Sequence, residues 1–342
     1  MSESNKNLSK NELITVGVIF VVVLVMGLIL IFLGFNEAFY GTSSTIRSIF
    51  KAITYLGDPI VFIVMVAIFY IIYDKRFAKN LTLSLLFTTY VNEFFKNIFM
   101  DPRPATNIDP AEVSLPENPA GLAWTSYGFP SGHTQNAIGT WGYIGYDFRK
   151  RLYIVIILGI IMFLVAISRM IIGVHDLQDV IGGFSVGLVV LLLFIYLEPY
   201  GTKQFNALNL PIKLIVIVVA SIGLFLLGIF LFPTSGTVLL PVPVAFNDSG
   251  QFSQVCGILL GFGIAYVLEN EYVKYEPSKL DLKWKIINLV IGMIIVFVVF
   301  FGLEALKDEF DSVFYRYARY AIVGFIIGYV VPLLFVKLNK IP

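Results

Sequence analysis

The chain of 342 residues contains only two histidines, and each lies in a short block of residues suited to phosphate chemistry. His133 closes the run Phe129-Pro130-Ser131-Gly132-His133, and His175 stands six residues after Arg169 and four before Asp179. A third block, Lys96 with Arg103-Pro104, precedes both. A phosphate monoester is almost doubly charged near neutral pH. Hydrolysing it without a metal requires fixed cations and hydrogen-bond donors around the non-bridging oxygens. Lys96, Arg103 and Arg169 supply three cations, two of them with the planar fork that grips an oxyanion pair. Ser131 and Gly132 sit where a helix begins. Their N–H groups and the helix dipole are expected to point at an anion, with Gly132 letting the backbone come close. His175 and Asp179 share one helix face. A carboxylate on one ring nitrogen fixes the tautomer and leaves the other nitrogen free to attack phosphorus. His133 suits the general acid, which donates to the leaving oxygen and later takes a proton from water.

Taken singly, each block has a plain structural explanation: an interfacial cation pair, a polar helix start, a helix-end His–Asp bond. Together, in this order and with these spacings, the blocks resemble the signature of the type-2 phosphatidic acid phosphatase superfamily, with no position substituted. The settings Gly173-Val174-His175 and Asp179-Val180-Ile181-Gly182-Gly183 are similar too. The resemblance covers residues 1–198. It implies that Lys96, Arg103, Ser131, Gly132 and Arg169 bind phosphate, that His175 is the nucleophile, that His133 is the acid and that Asp179 supports the nucleophile. The reaction implied is hydrolysis of the terminal phosphate of a lipid phosphate or diphosphate (phosphatidate, phosphatidylglycerol phosphate, sphingoid phosphate or polyprenyl diphosphate) through a phosphohistidine. The alternative within the family is a sugar-phosphate phosphatase of the glucose-6-phosphatase kind. No cofactor is expected. Among the neighbouring acids, Glu93 is placed to orient Lys96, Asp101 to pair with Arg103, and Asp176 to point to a different helix face. They form no metal-ligand cluster, so no catalytic metal is expected.

These residues need elements to hold them. Hydrophobic residues make up 58% of the chain, charged ones 14%, and the mean hydropathy is +0.84. That composition predicts an all-α polytopic membrane protein, since a soluble domain needs far more charge on its surface. A span takes about 20 apolar residues. About ten transmembrane helices follow, at 12–35, 59–74, 79–100, 132–149, 152–172, 177–198, 212–232, 252–270, 285–304 and 318–337. The first is too long for a signal-peptide core and is read as retained. Gly, Thr, Asn and Gln dilute the fourth, whose polar side is expected to face the bundle interior. Residues 43–56 read as an amphipathic segment along the membrane surface. The organisation expected is a six-span phosphatase core, 1–198, and a four-span extension, 199–342, of unknown role.

Charge sets the orientation. With the N-terminus inside, sixteen of the 24 Lys and Arg fall in inner segments, and three of the remaining eight belong to the motifs. Both termini are therefore expected in the cytoplasm and all three motifs on the extracytoplasmic face, most simply of a plasma membrane. The long loop 105–129 is expected to act as a lid or substrate collar. Gly257 and Gly261 form a GxxxG, the basis for expecting a homodimer. The partners expected are the lipid phosphate substrate and the bilayer. A net charge of +1 without a basic tract gives no reason to expect nucleic acid, and the single Cys256 excludes an internal disulfide. A transporter would place charge or broken helices near the membrane midplane; here the charges gather at the motif ends.

Overall fold

The computed structural model describes residues 8–37, 39–41, 43–101, 103–104, 127–232, 236–237, 244–245, 251–306, 310 and 312–339. Most of the loop 105–129, and most of the 233–251 loop that carries no Lys or Arg, lie outside the described residues. The elements are α1 (Lys10–Phe32), α2 (Ser44–Thr54), α3 (Pro59–Ile72), α4 (Lys75–Phe99), α5 (Gly132–Asp147), α6 (Leu152–Ile171), α7 (Leu177–Asn206), α8 (Leu210–Leu231), β1 (Gly236–Thr237), β2 (Val244–Ala245), α9 (Gln251–Leu268), α10 (Leu282–Glu304), α11 (Val313–Phe325) and α12 (Val331–Asn339). All ten expected spans are helical. Among the described residues, seven helices are long and apolar enough to cross a membrane, or eight if Ser44–Gly57 and Ile60–Ile72 make one broken span. The segments 59–74, 79–100 and 132–149 fall short by themselves. Helix α3 has 14 residues, α5 has 16, and α4 is polar on one side.

The chain divides into two compact units that follow space rather than chain order. One comprises Met1–Asp58, Phe87–Thr202 and Thr237–Val244; the other comprises Pro59–Leu86, Lys203–Gly236 and Ala245–Pro342. The division near residue 202 lies close to the expected 198/199 boundary, but α3 and the first half of α4 group with the C-terminal helices.

In the first unit, α1 opens with a capping box: the Ser9 N–H donates to Glu12 Oε2 at 2.6 Å, and the Glu12 N–H donates to Ser9 Oγ at 3.3 Å. Its apolar side chains are largely exposed, with Gly27 alone buried. Such a surface is stable when lipid covers it. Leu24, Leu30 and Ile31 pack on a buried cluster of Met170, Leu177, Val180 and Ile181, which fastens α1 to the start of α7.

Helix α5 behaves as its composition requires. Thr134, Gln135, Asn136 and Thr140 are all buried, and the first three are hydrogen-bonded within the bundle. Asn92 Nδ2 donates to Pro130 O (3.0 Å) and Gln135 Oε1 (2.8 Å), and Gln135 Nε2 donates to Thr88 O at 2.9 Å. Thr89 Oγ1 donates to Asn136 Oδ1 at 3.0 Å. Satisfying these groups within the bundle removes the cost of burying them. Helices α5 and α7 meet backbone to backbone: a Cβ on Gly183 would lie 2.6 Å from Ser131 O.

The second unit carries α9 against α11. A Cβ on Gly257 would come within 2.3 Å of Tyr317 O, and one on Gly261 within 1.8 Å of Ala321 O. The GxxxG expected at a homodimer contact is therefore filled by a helix of the same chain. Close approach needs only small residues on one helix, whichever chain provides the other. The segment 43–56 is α2 plus a 3-10 turn, Tyr55–Gly57, and it packs against α6 with Thr54 buried.

Candidate active site

The three motifs converge in the first unit. Lys96 lies in the last turn of α4, buried, and its Nζ donates to the carbonyl of Tyr127. The chain then turns through Met100, whose φ is 49°, toward Arg103. The Arg103 Nη1 donates to Val174 O at 3.0 Å, one residue before His175.

The second motif enters on Phe129, whose ring packs edge-on to Phe99 with centroids 4.9 Å apart. Ser131 is the N-cap of α5 and is fully buried. Its N–H donates to Asp179 O at 2.9 Å, and its hydroxyl accepts from Thr134 Oγ1 at 3.1 Å. The expectation that the Ser131 N–H points at an anion is thus corrected: that donor ties α5 to α7. At Gly132, a Cβ would meet Asn92 Oδ1 at 2.9 Å and Lys96 Cε at 3.8 Å, so the missing side chain makes room for Asn92 and the lysine stem. The helix dipole and the first-turn N–H groups that follow remain directed outward from the α5 start. His133 is half-buried beneath the 3-10 turn. A Cβ on Gly57 would lie 3.3 Å from His133 Cδ2, and Trp141 Nε1 pins the turn through Leu56 O at 2.9 Å.

The third motif spans the α6–α7 connection. Arg169 is buried, and its Nη1 donates to Thr54 Oγ1 at 2.7 Å. Its carbonyl accepts the N–H groups of Val174 and His175, each at 3.2 Å. Gly173 makes the turn with φ of 80°, a conformation that L side chains adopt only at a cost. His175 Nδ1 lies 2.8 Å from Asp179 Oδ2, with both side chains buried. Burial, and then the charges of Arg103, Arg169 and Lys96, hold the His175 imidazole well below the usual histidine range. The ring is therefore neutral at pH 7. With Nδ1–H donating to Asp179, the Nε2 lone pair is available for attack. Contacts join the three motifs: Arg103 bonds Val174 O, Arg169 O accepts the Val174 and His175 N–H groups, the Ser131 N–H bonds Asp179 O, and Lys96 Cε borders Gly132.

The flanking acids also have partners outside the three cations. Glu93 Oε1 accepts from Asn97 Nδ2 at 3.2 Å, and Asp101 Oδ2 accepts from Gln178 Nε2 at 3.3 Å. Asp176 does not merely face away: it precedes α7 directly, and its Oδ1 accepts the Asp179 N–H at 2.9 Å. Sequence reasoning missed Thr54, Asn92 and Asn36. None of these lies in a motif, and each meets its partner across a long stretch of chain.

Residues 77–203 match the PAP2 superfamily, and residues 253–341 match the PAP2 superfamily phosphatase, transmembrane extension. The chain is similar to phosphatidylglycerophosphatase B of Bacillus subtilis, 41% identical over 87 residues, which covers 23% of this chain and 41% of that protein. It is also similar to the lipid A 4'-phosphatase of Porphyromonas gingivalis, 36% identical over 99 residues, covering 29% and 41% respectively. The chain thus spans about two fifths of the length of these two curated relatives. Among solved structures, a transmembrane PAP2-type phosphatidylglycerolphosphate phosphatase from Bacillus subtilis is 22% identical. The match covers 55% of this chain and 96% of that one, with a TM-score of 0.40.

Proposed function

The chain belongs to the PAP2 superfamily, and from that premise we propose that it hydrolyses the terminal phosphate of a membrane lipid phosphate or diphosphate, without a metal, through a phosphohistidine. The observation that carries this reading is the buried His175–Asp179 pair, 2.8 Å apart, with Arg103 bonded to the neighbouring Val174 carbonyl and Arg169 bonded through its carbonyl to the same turn. The names of the two relatives, each acting on a lipid-borne phosphate, support the substrate class.

In the first step His175 Nε2 attacks phosphorus, and the bond to the leaving oxygen breaks. His133 gives that oxygen its proton, so an alcohol (or, from a diphosphate, a lipid monophosphate) departs. In the second step neutral His133 takes a proton from water, whose oxygen attacks the phosphohistidine. Inorganic phosphate leaves, and both histidines return to their starting states. Lys96, Arg103 and Arg169 neutralise the equatorial oxygens throughout.

The test is phosphate release in detergent from phosphatidate, phosphatidylglycerol phosphate, a sphingoid phosphate, a polyprenyl diphosphate and glucose 6-phosphate, each with and without EDTA. Release from at least one lipid, unaffected by chelation, is expected. Release from glucose 6-phosphate alone transfers the site to a soluble sugar phosphate. EDTA inhibition that magnesium reverses overturns the metal-free route.

The catalytic face is assigned to the extracytoplasmic side of the plasma membrane, with both termini cytoplasmic, from the distribution of Lys and Arg between the loops. After Cys256 is replaced, a cysteine at Asn118 should react with an impermeant thiol reagent on intact cells. One at Lys150 should react only after permeabilisation. The reverse pattern places the site in the cytoplasmic leaflet.

A further inference from the structure

A single residue outside the three motifs holds the helix turn on which the nucleophile depends. Asn36 follows α1, and it lies 140 positions from its side-chain partner Asp176. Its backbone carbonyl accepts the Leu177 N–H at 3.0 Å, and its Oδ1 accepts the Gln178 N–H at 3.0 Å. Its Nδ2 donates to Asp176 Oδ2 at 2.9 Å. The other oxygen of Asp176 accepts the Asp179 N–H at 2.9 Å. The first N–H groups of a helix have no intrahelical partners; here the three that open α7 are engaged by Asn36 and by the carboxylate that Asn36 orients. His175 sits immediately before this cap, and its bond to Asp179 spans the first turn. The geometry of that bond exists only while the turn is helical. Asn36, Gly173, His175 and Asp176 also line one pocket, so the cap lies beside the nucleophile rather than remote from it.

We propose that Asn36 is a positioning residue for the nucleophile: the segment after the first helix fixes the opening turn of α7 and so preforms the His175–Asp179 pair. This rests on the proposed function and deepens it. It also gives α1 a role, since this helix precedes the matched family region at 77–203 yet packs on the same turn through Leu24, Leu30 and Ile31.

The decisive experiment exchanges the two side chains. Asn36→Asp sets one carboxylate against that of Asp176, and kcat should fall by about tenfold to a hundredfold with KM within about threefold, the signature of a misplaced reacting group. In the pair Asn36→Asp with Asp176→Asn, the amide at 176 donates to the carboxylate at 36, while its oxygen still accepts the Asp179 N–H. All side-chain bonds of the cap are restored, and kcat should return to within about threefold of wild type. Hydrogen exchange of the peptide spanning 174–180 is read in parallel. It should accelerate in Asn36→Asp and recover in the exchanged pair, whatever the substrate is. A wild-type chain inactive on every ester tells against the proposed function alone, because the exchange pattern still judges Asn36. If Asn36→Asp fails to fold, Asn36→Ser carries the same kcat expectation without the added charge. The proposal is overturned by single variants that keep wild-type kcat and exchange, by a loss confined to KM, or by an exchanged pair no better than Asn36→Asp.

Discussion

Replacing His175 by alanine is expected to lower turnover by at least about four orders of magnitude, the scale seen when a covalent nucleophile is removed. The wild-type ring has one nitrogen held by Asp179, in a buried site where Arg103 and Arg169 are bonded to the backbone of the same turn and Lys96 is proposed to join them in meeting the charge that builds on phosphorus. Alanine leaves the cations but removes the atom that forms the intermediate. Only direct attack by water, favoured by the remaining electrostatics, then survives. The fold should persist, because the backbone bond from the 175 N–H to Arg169 O does not depend on the side chain. Phosphate release and thermal unfolding in detergent measure the two halves of this expectation. Activity within tenfold of wild type would remove His175 from the nucleophilic role.

Asp179→Asn should cost about two to four decades in turnover with substrate affinity nearly unchanged. The amide oxygen can still accept the Nδ1 proton, so the ring keeps its place. What is lost is the negative charge that stabilises the imidazole as it gains positive character on bonding to phosphorus. The backbone role of residue 179, accepting the Ser131 N–H at 2.9 Å, survives the substitution and should keep α5 docked on α7. Separate determination of kcat and KM decides the matter. A variant that lost affinity alone would make Asp179 a wall of the pocket rather than the partner of the nucleophile.

Local rules account for what was legible in the chain. Long apolar runs dictate helices because a backbone in lipid must satisfy its own hydrogen bonds, and all ten expected segments are helical. Four-residue spacing places His175 and Asp179 on one face because the helix repeats every 3.6 residues, and the bond is there. The polar side of α5 announced a buried face, and its threonines and amides are buried.

Everything that depended on which distant groups meet was decided by the tertiary structure. Gly257 and Gly261 declare only that some helix comes close; folding chose α11 of the same chain. Ser131 carries a donor suited to an anion, yet the approach of α7 gave that donor to the Asp179 carbonyl. Thr54 beneath Arg169 and Asn36 at the head of α7 have no local pattern at all, since each pairing joins residues more than a hundred positions apart. A periodic signal reports the face of one helix. The partners of that face are set by packing many helices at once, where close approach, burial and the need to satisfy each polar group must all be met together.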